Sequence, residues 1–224
     1  MAISDWPEAE RPRERLATHG AGALSNAELL ALVLRSGTHG KSAIALAQEM
    51  LNAAGGLAKL MHSDLKALQA TPGMGIAKST QFKAALELAR RALQEQVVGN
   101  SVLDSPASMR DFLRLTLAGR EHEVFGVILL DAKYRCIGFE ELFRGTLNQA
   151  SVYPREVVKL ALARNAAALA FAHNHPSGVA EPSHADELLT RNLKKALALV
   201  DVQVIDHFIV APGGVMSFAE RGLL

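Results

Sequence analysis

The sequence predicts an α/β (α+β) protein in two parts: an all-helical region over residues 1–98 and, over residues 101–224, a mixed sheet flanked by helices. Three observations carry that expectation. Apolar residues recur at helical spacing from Ser25 to about Arg91 with no strand signal among them. From Val124 onward, β-rich and helical runs alternate. Between the two textures lies the polar, glycine-containing QEQVVGNS, from Gln94 to Ser101.

In the first part Ser25 and Glu28 have the spacing of a capping box and precede the apolar LLALVLR, which marks a helix start. A second helix is expected from about Ser42 to Asn52, a short one from Ser63 to Leu68 and a longer one from Ala77 to about Leu93. In the second part VFGVILLD (Val124 to Asp131) and YRCIGFEELF (Tyr134 to Phe143) are rich in β-branched and aromatic residues, and the short turn at Ala132 and Lys133 makes them a hairpin. Pro154 is tolerated in a first helical turn and opens REVVKLALARNAA. ALAFAH (Ala168 to His173) suits a buried strand. Ser183 to Val200 then places Leu188, Leu189, Leu193, Ala196 and Leu197 along one helical face. VQVIDHFIV (Val202 to Val210) is a further strand, and Pro212, Gly213 and Gly214 turn it into Val215 to Phe218.

Composition excludes several classes. With 224 residues and ample apolar content, two cores can form without staples. The only thiol is Cys136, so neither a disulfide framework nor a cysteine-rich zinc knuckle can be built, and a reducing, cytoplasmic setting is expected. No run of about 18 apolar residues occurs, and the first residues are charged and broken by proline where a signal peptide needs an apolar stretch, so a soluble chain with no membrane association is expected. Net charge is +1; residues 1 to 100 carry 11 Lys and Arg against 9 Asp and Glu, and residues 101 to 224 carry 13 against 14. Neither part has the basic excess of a broad nucleic-acid footprint, so any DNA contact is local.

Two glycine loops lie in the helical part. GTHGKS (Gly37 to Ser42) resembles a phosphate-binding loop only superficially, because the motif needs glycine where Arg35 stands and a strand where a helix is expected. TPGMGIAKS (Thr71 to Ser79) is a stronger pattern. Gly73 and Gly75 allow a tight helix-to-helix turn that leaves amides at the second helix's start facing outward, and Lys78 and Lys83 add charge. The pattern resembles a helix-hairpin-helix, which grips DNA backbones without reading sequence. A protein-interaction hairpin and a simple sharp turn remain open beside it.

The stretch HNHPSGVAEPSHAD, from His173 to Asp186, carries the chemistry. On extended backbone His173 and His175 project to the same side, so both imidazoles can meet one ion. Ser183 to Asp186 fits an S-x-x-D capping box, which faces Asp186 back from a helix's first turn as a third ligand. Zinc accepts imidazole nitrogen and carboxylate oxygen, and catalytic zinc keeps three protein ligands and a water. A polar turn before a capped helix is the plainer alternative.

His173-x-His175-Pro176, six residues, then Ser183-x-x-Asp186 resembles the H-x-H-P-x6-S-x-x-D signature of the JAMM (MPN-plus) metalloproteases, and HNHPSG is similar to the RadC family. The likeness continues through RGTLNQASVYPREVVKLAL (Arg144 to Leu162), DHFIV (Asp206 to Val210) and the amino-terminal helix-hairpin-helix, and so covers essentially the whole chain. One departure from the eukaryotic members is Asn174, where they carry Ser or Thr. The resemblance implies a JAMM/MPN domain with a cytidine-deaminase-like arrangement, one Zn2+ ion, and an upstream glutamate as general base. Family placement favours Glu123, in Glu123-Val124-x-Gly126, over the rivals Glu140 and Glu141. It also implies that Ser183 donates a hydrogen bond to a tetrahedral oxyanion, and Asp206 and His207 are candidates for orienting the ligands.

Three classes of function stand against one another. A zinc-dependent peptidase or isopeptidase acting on a peptide or protein substrate is favoured. A DNA-associated repair or recombination accessory protein, contacting DNA through Gly73, Gly75 and Lys78, is the alternative. A zinc deaminase needs an H-x-E and a P-C-x-x-C pair, which a chain whose one thiol is Cys136 cannot supply.

Overall fold

A computed structural model describes residues 6–101, 106–145 and 152–224. By internal packing the chain divides into two compact units, Met1–Ala89 and Arg90–Leu224.

The first unit is helical: α1 (Pro12–His19), α2 (Asn26–Leu34), α3 (Ala43–Ala54), α4 (Leu57–His62), α5 (Leu65–Gln69) and the start of α6 (Ile76–Val97). Both halves of the capping box expected at Ser25 and Glu28 are formed at the start of α2. Leu30 and Leu34 of α2, Leu46 and Met50 of α3, Leu60, Leu68, Met74 and Phe82 form one core. Three features differ from the sequence expectation. Helix α1 was not expected, and Pro12 is its single buried residue, so no apolar stripe announces it. The short helix expected at Ser63 to Leu68 is α5, which begins only at Leu65 because Asp64 caps it, and α4 before it was not expected. Helix α6 runs on to Val97, so half of the polar connector is its last turn, while Val98 and Ser101 bridge to Cys136 and Arg135.

The second unit holds a five-stranded sheet. Its strands are β1 (Val124–Leu130), β2 (Cys136–Arg144), β3 (Ala168–Asn174), β4 (Gln203–Ala211) and β5 (Gly214–Ser217), in the order β2-β1-β3-β4-β5. Only the β3 and β4 pair is parallel. A parallel pair needs a crossover, which here is α9 (His184–Ala198). Helix α7 (Pro106–Leu117), absent from the sequence expectation, covers one face; α8 (Pro154–Ala163) and α9 cover the other. The central strands β1 and β3 are buried at every residue, which is why both read as continuous apolar runs. On β3 the small side chains Ala168, Ala170 and Ala172 pack with Met109, Phe112 and Leu113 of α7, while Leu169 and Phe171 pack with Leu193 and Leu197 of α9. Residues 146–151, inside the stretch that carried part of the family likeness, lie outside the described residues.

Gly126 has a packing reason. A Cβ there would come 2.4 Å from the Phe139 ring, which is held edge-on to Phe112. Gly126→Val is therefore expected to lower the unfolding free energy by about 1–3 kcal/mol. The measurement is denaturant unfolding, with a lower midpoint at unchanged slope.

Candidate metal centre

Backbone ladders aim three of the four side chains at the site. Phe125 pairs with His173 across the antiparallel β1 and β3 strands. Glu123, two residues before Phe125, shares its face, and the Gly145 N–H donates to the Glu123 carbonyl at 2.8 Å, extending the β1 and β2 pairing to that residue. His175, two residues after His173, is held extended by its own N–H donating to the Val210 carbonyl at 2.9 Å. The chain then reverses at Gly178, whose φ of +89° suits glycine.

A cap aims the fourth. Ser183 is the N-cap of α9, and its Oγ accepts from the Asp186 N–H at 3.2 Å. Asp186 Oδ2 in turn accepts from the Ser183 N–H at 2.7 Å and from its hydroxyl at 2.6 Å. This fixes the carboxylate over the end of β3.

One ligand atom from each of Glu123, His173, His175 and Asp186 lies within 4.8 Å of the other three. His173 Nε2 is 2.9 Å from His175 Nε2 and 3.2 Å from Asp186 Oδ1; His175 Nε2 is 3.4 Å from Asp186 Oδ2. Glu123 Oε1 stands further out, 3.9 Å from His173 Nε2. A tetrahedral ion with bonds of about 2.0–2.1 Å sets its ligand atoms about 3.3 Å apart, the spacing of this triad. The donor set fits as well. His175 Nδ1 faces the Val179 carbonyl at 2.9 Å, so it carries a proton and leaves Nε2 as a lone pair, and carboxylates only accept. Electron-rich atoms converging this closely are arranged to hold a cation.

Electrostatics agree. Burial opposes ionisation of Asp186, but its contacts with the His173 and His175 rings and with the Ser183 hydroxyl outweigh it and hold the carboxyl well below its usual range. His175 is raised, chiefly by its hydrogen bond to Asp186. Burial pushes His207 well below the ordinary histidine value and keeps it neutral.

The RadC-like JAB domain family matches residues 103–223, and the UPF0758 N-terminal family matches residues 3–80. The chain belongs to the RadC family. The UPF0758 protein of Nitrosomonas eutropha is 61% identical over 224 residues, spanning the whole of both chains. That of Nitrosospira multiformis is also 61% identical over the full length of both, and that of Aromatoleum aromaticum is 62% identical over 225 aligned residues and equally complete.

Other residues singled out in this RadC-family sequence are placed as follows. Glu140 pairs with Arg164, and Glu141 with Arg120 at 2.6 Å; neither is in the cluster. His207 touches it, with Nε2 2.8 Å from His173 Nδ1. Asp206 does not: its carboxylate accepts from Ser217 Oγ and from the N–H groups of His207 and Ala219. Gly73 and Gly75 form the turn between α5 and α6; Gly73 has φ +92°, and a Cβ there would meet Thr38 at 2.7 Å. Lys78 Nζ donates to the carbonyls of Gly37 at 2.6 Å and Gly73 at 3.2 Å, tying the two glycine loops together, and Lys83 donates to the Ser63 carbonyl at 3.1 Å.

Two contributors escaped sequence reasoning. Thr190, four residues after Asp186 and so on the same helix face, bonds His207 Nδ1 at 2.7 Å. Asn174 points to the α7 side of the sheet, where its Oδ1 accepts from the Val124 N–H at 2.8 Å and its Nδ2 donates to the carbonyls of His122 at 3.1 Å and Arg120 at 3.3 Å. Those bonds pin the backbone on both sides of Glu123. Asn174→Ala strands the buried Val124 N–H and should lower the unfolding free energy by about 1–3 kcal/mol, read by denaturant titration.

The raised His175 also fixes a pH dependence. A bound ion must displace its proton, so affinity falls by about tenfold per pH unit below the folded-state pKa, and the fall begins above the ordinary value of about 6.5. Chelator competition between about pH 9 and pH 6 measures it; an affinity that stays flat down to 6.5 contradicts the assignment.

Proposed function

We propose that the chain is a zinc-dependent hydrolase that cleaves peptide or isopeptide bonds in a peptide or protein substrate, using water as the nucleophile. The observation that carries this reading is the convergence of Glu123, His173, His175 and Asp186, with Glu123 set beside the closer triad of the other three. Membership of the RadC-like JAB family supports the same reading.

His173, His175 and Asp186 would hold the ion. When bound, zinc supplies Lewis-acid chemistry, lowering the pKa of water to about 7 and polarising a scissile carbonyl. Glu123, partly exposed at the strand start, takes the proton of the attacking water and returns it to the leaving amine. The Ser183 hydroxyl, which here donates to Asp186, lies at the positive end of α9 and is the donor assigned to the developing oxyanion, a contribution of about 3 kcal/mol in comparable sites. No helix among the described residues is long and apolar enough to cross a membrane, and the buried, raised thiol of Cys136 suits a reducing cytoplasm.

The test presents a library of peptides and isopeptides to zinc-loaded protein. The intact chain should bind about one zinc and turn over, and His173→Ala should lose the ion. Glu123→Gln should keep the zinc while turnover falls at least about 100-fold. Undiminished zinc binding by His173→Ala, or undiminished turnover by Glu123→Gln, would refute the assignment.

A further inference from the structure

A single backbone carbonyl dictates where the protons lie behind the metal triad. Thr190 Oγ1 is 2.6 Å from the Asp186 carbonyl, which can only accept, so the threonine's one proton points there. Toward His207 Nδ1, 2.7 Å away, Thr190 must therefore accept, and His207 carries its proton on Nδ1. His207 is fully buried, ringed by Phe125, Phe171 and Phe218 at centroid distances of 5.7, 5.7 and 4.8 Å. Among the described residues no carboxylate bonds its ring, and a neutral imidazole holds one proton, so His207 Nε2 is bare. His173 Nδ1, 2.8 Å from that lone pair, must then be the donor. In its neutral form the His173 ring then leaves Nε2 unprotonated, facing Asp186, His175 and Glu123.

We propose that Thr190 and His207 are positioning residues that set His173 in its Nδ1–H form before any ion arrives, so that Nε2 is presented as a ready ligand. The proposal rests on the metal-site reading above. The relay starts on the carbonyl of Asp186 and ends on the ring of His173, so it ties two ligands together from behind: α9 cannot shift relative to β3 without breaking it. Neither partner is exposed. Hydrogen bonds that orient a ligating histidine contribute about 10-fold to 100-fold to metal affinity in other sites.

The experiment has two arms. Long-range 1H–15N spectra of the metal-free chain near pH 8.5 read the ring nitrogens directly. Protonated Nδ1 and bare Nε2 are expected on both His173 and His207, and a proton on Nε2 of either neutral ring overturns the proposal. In the second arm zinc affinity is measured by chelator competition. Thr190→Val, close in shape but without the hydroxyl, should bind about 10-fold to 100-fold more weakly and show mixed His173 tautomers. Thr190→Ser, which keeps the hydroxyl, should match the unaltered chain in both readouts. Equal affinity in Thr190→Val overturns the relay, whereas failure of the unaltered chain to bind zinc sinks the metal reading and leaves the spectroscopic arm to decide the relay. A purely structural role for Thr190 would lower the melting temperature without altering the tautomer of His173, and that result also counts against the proposal.

Discussion

The register that sets Phe125 opposite His173 is the constraint on which the rest of the site depends. Side chains alternate across a strand, so this one pairing decides that Glu123 and His173 share the α9 face of the sheet; a slip of one residue would turn Glu123 toward α7. The neighbouring ladders carry the arrangement outward, through Gly145 to Glu123 and through Val210 to His175. Asn174 then works as a lock on the opposite face. Its side chain occupies the amide of Val124 and the carbonyls of Arg120 and His122, groups that the adjoining strand does not reach. Asp186 enters by different physics, from a helix cap that closes on itself before it can close on anything else.

Much of this was legible in the chain. The i and i+2 histidines, the capping box at Ser183 and the buried runs of β1 and β3 follow from period and cap chemistry alone. The choice among glutamates was not legible from the residues themselves, because Glu123, Glu140 and Glu141 all border apolar runs. What separates them is register, and register includes an irregularity between Phe125 and Gly126 that no pattern announces. Helix α7 had a readable stripe in Met109, Phe112, Leu113 and Leu117, obscured by its place directly after a polar connector. Thr190 gave no sign, since a threonine inside an amphipathic helix looks the same whether it faces water or a buried imidazole.

The helical unit teaches the opposite lesson about charge. Lys78 and Lys83 look like phosphate ligands in a glycine-rich hairpin, yet each spends its ammonium on carbonyls at the ends of nearby turns. The 37–42 loop and the 71–75 turn lean on one another, and a threonine methyl packs where any side chain at position 73 would stand. Gly73 is accounted for by its positive φ and by Thr38, which stands where a Cβ would go, whereas a Cβ at Gly75 would meet open space.

Strand β3 is central, buried at every residue and hydrogen-bonded along both edges, and the ligand pair rides at its end. Proteins open in pieces, with exposed loops and termini exchanging first and core strands last. The imidazoles are thus attached to the slowest-exchanging part of the sheet, while Ser183 and Asp186 hang on the first turn of a helix reached through an exposed loop. Partial opening of this chain therefore has a direction: the serine and the carboxylate come away first, and the histidines keep their places until the whole unit unfolds.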